Sequence, residues 1–348
     1  MKRNAIKIIF KLSYWLIAAL LFSSCGNGEA DKPVYVSNDS TPAPIRKIND
    51  KINADRNNAD LYFERAKVNF QYKNTEEAFS DINIALKIDS TKPAYYVFLS
   101  DLYFTQNKTK DTRDMLWKAI SVDSANSEAL MKYSQLFYLL RKYDTATFYI
   151  NRSLHYNNSS AVSHFQKGMI LKEWGDTAKA IESFQDAVKY DQQYYDAYMQ
   201  LGVLLSLKKN SLALSYFNNA LNMRPKSIET LYAIGKFYQN SKEYEQALTT
   251  YGSLLSLDPQ NQDVTFNIGA ILFEQEKYDE AMDNFNEISK RDENFYRAYY
   301  GRGRCYEPKG EKKKAVDEYK KCLSIKPDFE LALLQLDIIE KRVKTKTG

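Results

Sequence analysis

A spacing of 34 residues runs through most of this 348-residue chain. Ala66, Ser100, Ser134, Gly168 and Gly202 stand 34 apart, and after one missing residue Gly235, Gly269 and Gly303 resume the interval. Two further columns keep the same register. One is bulky: Ile82, Leu116, Ile150, Phe184, Phe217, Tyr251, Phe285 and Tyr319. The other is small: Ala78, Thr112, Ala146, Ala180, Ala213, Ala247, Ala281 and Ala315. Small side chains let two antiparallel helices approach closely, and large ones wedge into the neighbouring unit. A helix-turn-helix of this size cannot bury its apolar face alone. A run of eight therefore predicts an α-solenoid, whose curved surfaces bind partners along their length far more often than they host an active centre.

Prolines fall at the ends of three units, Pro225, Pro259 and Pro327, where a helix can stop and the next turn begin. From Ala59 to Phe329 the pattern resembles the tetratricopeptide repeat family. The units run 59–92, 93–126, 127–160, 161–194, 195–227, 228–261, 262–295 and 296–329. The resemblance implies an all-α, right-handed solenoid of eight helix pairs. Residues 45–58, with Ile45, Ile48 and Ile52 on one helical face, form an N-terminal half-repeat helix. Residues 330–348 form a C-terminal capping helix and tail, with Leu331, Leu333, Leu334, Leu336, Ile338 and Ile339 as its apolar side. The missing residue of the fifth unit is expected in the turn Lys208–Ser211. Glu307-Pro308-Lys309-Gly310 is expected to end the last first helix early.

The first 24 residues carry a different signal. Lys2 to Lys11 are basic, Leu12 to Phe22 are apolar but too short to span a bilayer, and Ser23-Ser24-Cys25 follows. This arrangement resembles the lipobox of bacterial lipoproteins, with Phe22 where Leu is usual. The resemblance implies a signal peptide over 1–24 and a diacylated Cys25, whose thiolate is nucleophilic enough to accept the lipid. A simple secretory signal or an uncleaved anchor are the other readings. Gly26-Asn27 lacks a retaining aspartate, and Glu29 and Asp31 are too sparse for a surface-export run. The expected location is then the periplasm-facing leaflet of the outer membrane of a diderm bacterium. Residues 25–44 are polar, small and Pro-containing, and read as a flexible tether.

Composition excludes some functions. The formal charge of +5 falls to about +1 without Lys2, Arg3, Lys7 and Lys11, which gives no basis for binding nucleic acid. Positive charge gathers at the end, with 14 Lys and Arg against 8 Asp and Glu from Tyr296 onward. Gly301-Arg302-Gly303 is absorbed by the small-residue column and lacks a third glycine or a preceding strand, so it is not a phosphate loop. His155 and His164 have no metal-ligand spacing around them, and His164 occupies a packing column. Cys305 and Cys322 lie in the two helices of the eighth unit, as free structural thiols or a disulfide. No cofactor, no metal and no catalytic constellation are expected, so the chain reads as a non-enzyme.

In tetratricopeptide arrays the first helix of each pair lines the concave face. By that resemblance one column points into it: Phe63, Val97, Met131, Phe165, Met199, Tyr232, Phe266 and Tyr300. Phe70, Phe104, Tyr138 and Phe273 stand further along, with Met169 between. Lys67, Asp101, Gln135, Lys236 and Arg304 are nearby polar points, and do not reproduce the Lys/Asn clamp of chaperone-binding relatives. Such a strip suits an apolar peptide segment. The expected function is a lipid-anchored scaffold or adaptor that binds a segment of an envelope protein in this groove. The alternative is a module for a non-protein ligand such as cell-wall glycan. The plain reading of the strip is helices tightened against one another.

Overall fold

The computed structural model describes residues 41–347, so the proposed signal peptide, Cys25 and most of the tether lie outside the described residues. Eighteen helices and no strands are found among them. They cluster into two compact units, the first ending at Ser124 and the second beginning at Ala125. Both are all-α solenoid segments, described separately below.

The first unit contains α1 (Ala43–Ala54), α2 (Ala59–Gln71), α3 (Thr75–Ile88), α4 (Pro93–Thr105) and α5 (Thr109–Val122). α1 buries Ile45, Ile48 and Ile52 and packs on α2. α2 pairs with α3, and α4 with α5. The second unit contains six pairs: α6 (Ser127–Leu139) with α7 (Tyr143–Tyr156), α8 (Ala161–Trp174) with α9 (Thr177–Tyr190), α10 (Tyr195–Leu207) with α11 (Leu212–Met223), α12 (Ile228–Asn240) with α13 (Tyr244–Leu257), α14 (Gln262–Glu274) with α15 (Tyr278–Arg291), and α16 (Tyr296–Tyr306) with α17 (Lys312–Ile325). α18 (Glu330–Thr347) packs on α17.

The columns explain the pairing. All eight bulky residues are buried to 2% exposure or less. Opposite them, small residue and wedge are matched in size. Ala66, Ser100 and Ser134 share their repeats with Ile82, Leu116 and Ile150. All five glycines, Gly168, Gly202, Gly235, Gly269 and Gly303, face an aromatic ring. A Cβ at Gly168 would stand 2.6 Å from the Phe184 ring, and one at Gly303 2.5 Å from Tyr319. The rings lie where a side chain would be, so close packing rather than turn geometry requires glycine there.

Every pair turns in the same way. The residue 14 places after each unit's start has left-handed φ: Lys73, Asn107, Arg141, Gly175, Lys209, Lys242, Glu276 and Gly310. Only two of the eight are glycine, so the turn is imposed by the packed helices on residues that disfavour it. Lys209 keeps the conformation in the short fifth unit, and the missing residue falls between it and Ala213, at the turn into the 12-residue α11. Second helices end on residues such as Asp89, Asp191 and Asp292, whose carboxylates accept the N–H two residues on at 2.8–2.9 Å.

Two expectations need comment. α16 stops at Tyr306 after 11 residues, ahead of Pro308, as its sequence implied. The cap is rotated relative to the expectation. Ala332 and Ile339 are its buried residues, with Leu336 packed beside them, whereas Leu331, Leu333 and Leu334 are about half exposed. α18 buries a narrow stripe in one cluster with Tyr299 and Tyr300 of α16 and Tyr319 of α17, and three leucines fall outside it.

Candidate binding groove

The residues expected to line the groove divide between the two units. In the first unit Val97 is buried in the core. Phe63 is partly buried against Tyr95 and Phe98, at ring-centroid distances of 4.9 and 5.7 Å, and the Lys67 ammonium lies 4.5 Å over its face. Phe70 meets the edge of Phe98 at 6.0 Å. Asp101 is partly buried, and Phe104 is open to solvent.

In the second unit the same column is mostly part of the inter-helix packing. Phe165 contacts Phe184 and Tyr194 at 5.5 and 5.0 Å. Met199 is 4% exposed, and its sulfur accepts a hydrogen bond from Thr230 Oγ1 at 3.3 Å. Tyr300 is buried between Tyr319 and Phe329. Val97, Met199 and Tyr300 are therefore core residues and expose too little surface to make most of a docking wall. Met199 meets Thr230 of the next pair and Tyr300 meets Tyr319 of its own, which a reading by column cannot separate from facing solvent. Met131, Phe165, Tyr232 and Phe266 are partly buried and leave only edges accessible. Tyr138 and Phe273 lean on Tyr143 and Tyr278. Burial and the Glu173 charge raise the Tyr138 phenol above its ordinary pKa.

The accessible surface lies one turn further along the first helices. The first helices α6 and α8, α10 and α12, and α14 and α16 touch, so equivalent positions on them are neighbours. One row reads Gln135, Met169, Val203, Lys236, Ala270, Arg304. Four residues on, and so on the same helical face, stand Leu139, Glu173, Leu207, Asn240 and Glu274. Leu139, Val203 and Leu207 are exposed, Leu207 at 77%, and Met169 is half-buried beside them. Val203 belongs to a row of which Gln135, Met169, Lys236 and Arg304 were recognised in the sequence. Leu139 and Leu207 follow by helical spacing, so both signals were available.

The row changes character at α12. Lys236 is half-buried, and desolvation together with the Arg297 charge lowers its pKa. Its Nζ donates to Gln239 Oε1 at 3.2 Å. Arg297 pairs with Asp263 and lies over the rings of Phe266 and Phe295, at 5.1 and 4.7 Å. Arg304 stacks 4.2 Å over Phe273 and walls a cleft of about 60 Å³ with Phe266, Ala270, Glu274 and Tyr300.

No cluster among the described residues could hold a metal ion, and no helix there is long and apolar enough to cross a membrane. Cys305 and Cys322 are free, buried thiols, both pushed up to about 11 by burial, so neither is a reactive thiolate near neutral pH. His164 is a packing residue: Nε2 hydrogen-bonds the Asn158 carbonyl at 2.8 Å and the ring stacks on Tyr190.

Comparison with known proteins supports the repeat assignment. Models described as tetratricopeptide repeat match residues 161–194, 232–290 and 296–329. Over those residues the chain matches tetratricopeptide repeats. Proteins of this kind typically act as protein-binding scaffolds without catalytic activity. The human protein Tetratricopeptide repeat protein 13 is 25% identical over 131 residues, which are 37% of this chain and 15% of that protein. Among solved structures, the C-terminal part of a repeat-containing protein from Cytophaga hutchinsonii is similar at a TM-score of 0.57 and 22% identity, covering 68% of this chain and 98% of that one. A tetratricopeptide repeat protein from Parabacteroides merdae gives 0.53 and 17%, covering 71% and 98%. PilF of Pseudomonas aeruginosa gives 0.52 and 19%, covering 58% and 92%. At these identities the likeness is one of fold.

Proposed function

We propose that this protein is a lipid-anchored scaffold of the bacterial envelope, held by Cys25 at the periplasmic face of the outer membrane. Its tetratricopeptide repeats bind a segment of a partner protein within an envelope complex. The reading rests on one observation: Leu139, Val203 and Leu207 are exposed, and Met169 half-buried, at equivalent positions of the first helices of the second unit, with the polar Gln135 and Glu173 among them. Large apolar side chains left open on one helical face mark a candidate interaction site. Its helical spacing suits an extended or helical peptide. Residues 1–25 supply the membrane part of the reading, through their basic start, short apolar stretch and Ser-Ser-Cys. A glycan platform draws no support from the tryptophans, since Trp117 and Trp174 belong to different units.

Two measurements test this. Cys25→Ala should move the protein from the membrane to the soluble fraction, and continued tight attachment refutes the anchor. Crosslinking in intact cells should recover a defined protein partner. Met169→Glu combined with Leu207→Glu should abolish that crosslink while helicity stays unchanged. An undiminished crosslink places the binding surface elsewhere.

A further inference from the structure

We infer that one edge of the second unit, formed by the turns at 140–142, 174–176 and 208–212, is a membrane-contact surface that rests on anionic lipid headgroups. It is separate from the groove, and it stands whether or not Cys25 is lipidated. Helices alternate in direction along a solenoid, so the turns inside pairs gather at one edge and the turns between pairs at the other. The three turns close the pairs α6 with α7, α8 with α9 and α10 with α11. Gln166 of α8 donates to the Met131 carbonyl and to Ser134 of α6, at 3.1 and 3.3 Å, and Lys172 of α8 donates to Gln200 of α10 at 3.1 Å. The turns therefore follow side by side.

Each turn leaves a large apolar side chain open. Leu140 caps α6, Trp174 ends α8 and Leu212 begins α11, and all three are about half exposed. Arg141, Lys142, Lys208 and Lys209 stand exposed around them, and none of the four forms an ion pair among the described residues. The acids of this edge are mostly taken: Glu173 pairs with Lys172 at 3.7 Å and Asp176 with Lys179 at 2.8 Å, which leaves Asp144. The pattern is also bounded. The turns of the next two pairs, 241–243 and 275–277, carry no exposed large apolar residue, and Glu243 and Glu276 stand beside their lysines.

Apolar side chains at protruding turns, ringed by unpaired cations, match a lipid surface better than a protein ligand. A protein would have to place carboxylates at four fixed points around Trp174. Lipid headgroups move to meet the cations and offer an apolar layer just beneath. Tryptophan suits that boundary because its ring is apolar and its N–H is not. Lys and Arg lay their stems along the apolar layer and keep their charge among the headgroups.

The test places the full chain on vesicles whose acyl chains carry bromine, with Trp15→Phe and Trp117→Phe so that Trp174 is the remaining tryptophan. On vesicles containing phosphatidylglycerol its emission should shift to the blue and fall by roughly half, since an interfacial ring sits about 5–10 Å into the headgroup and acyl boundary. Salt at about 0.5 M KCl should restore most of the emission. Arg141→Gln/Lys142→Gln/Lys208→Gln/Lys209→Gln should abolish the quenching, because each charge strengthens such attachment roughly fivefold. Circular dichroism checks that this variant remains folded. Unquenched Trp174 overturns the inference. Quenching that is equal on phosphatidylcholine vesicles and in the quadruple variant overturns the anionic partner. A quadruple variant that loses the protein crosslink, with Trp174 unquenched throughout, makes the edge a protein-docking surface and overturns the lipid assignment. Cys25→Ala in the same background keeps the anchor apart: attachment that survives the high-salt wash in this variant refutes the anchor, while salt-sensitive quenching of Trp174 still supports the edge.

Discussion

Arg65 and Asp81 in the first repeat occupy the same two repeat positions as Arg302 and Glu318 in the last. Each pair joins the two helices of its unit. In the first repeat the pair is sealed, with side chains 5% and 4% exposed. Arg65 Nε and Nη2 both donate to Asp81, Nη1 donates to Asn49 of α1 at 2.8 Å, and Asn69 donates to Asp81 at 3.0 Å. In the last repeat the exposures are 23% and 14%. Arg302 makes one bond to Glu318 and one to Ser289 of α15, and its Nε has no partner. The same residue chemistry is thus a closed network at one end and a looser, partly hydrated contact at the other. Between them the interior repeats fill the two positions mostly with apolar or uncharged groups, such as Leu99 with Met115 and Tyr133 with Tyr149. The number of satisfied donors and the access of water, rather than the presence of an ion pair, set what each contact contributes.

Breaking the sealed pair should have the largest effect. Asp81→Ala leaves a buried guanidinium without its carboxylate and should cost about 3–5 kcal/mol in urea unfolding. The equivalent Glu318→Ala should cost no more than about 2 kcal/mol, because Arg302 can turn toward water. Equal losses would show that burial does not separate the two ends.

The same repeats also differ in their wedges, Ala66 with Ile82 against Gly303 with Tyr319. Gly303→Ala pushes a methyl group into the Tyr319 ring, whose hydroxyl is held by Glu307, and should lower stability by about 1–3 kcal/mol on thermal melting. The reverse change in the first repeat, Ala66→Gly, removes a methyl from a helix interior and should cost about 1 kcal/mol.

The smallest effect should come from Lys236, a cation lacking the carboxylate that both end repeats supply. Its pKa is lowered on folding, so just below the usual lysine range the unfolded chain binds more protons. Stability should therefore rise with pH through that window, by an amount that disappears in Lys236→Met. A pH profile shared by wild type and variant would refute the desolvated placement of Lys236.

Much of the architecture was legible because close packing leaves a regular trace. A small residue matched to a bulky one in each of eight successive repeats has few explanations other than paired helices. Helix starts, the half-repeat α1 and the early stop of α16 follow from patterns within one element or between adjacent ones. The groove was harder to read. Phe165, Met199 and Tyr300 share a column, yet a side chain there can point at solvent or at the neighbouring pair, and periodicity is the same in both cases. The left-handed turn at Lys73, Asn107 or Glu276 carried no sequence mark either, since glycine stands at only two of eight such places.

From the amino-acid order alone came the period, the element type and the pairing of small with large residues, because these depend on contacts a few turns apart. Which aromatic rings are buried, which leucines of α18 are left uncovered, and how Lys236 of α12 comes near Arg297 of α16 were settled only by tertiary structure. Those outcomes depend on how far neighbouring pairs rotate on one another, and a rotation of a few tens of degrees moves a side chain from core to water without altering the repeat that encodes it.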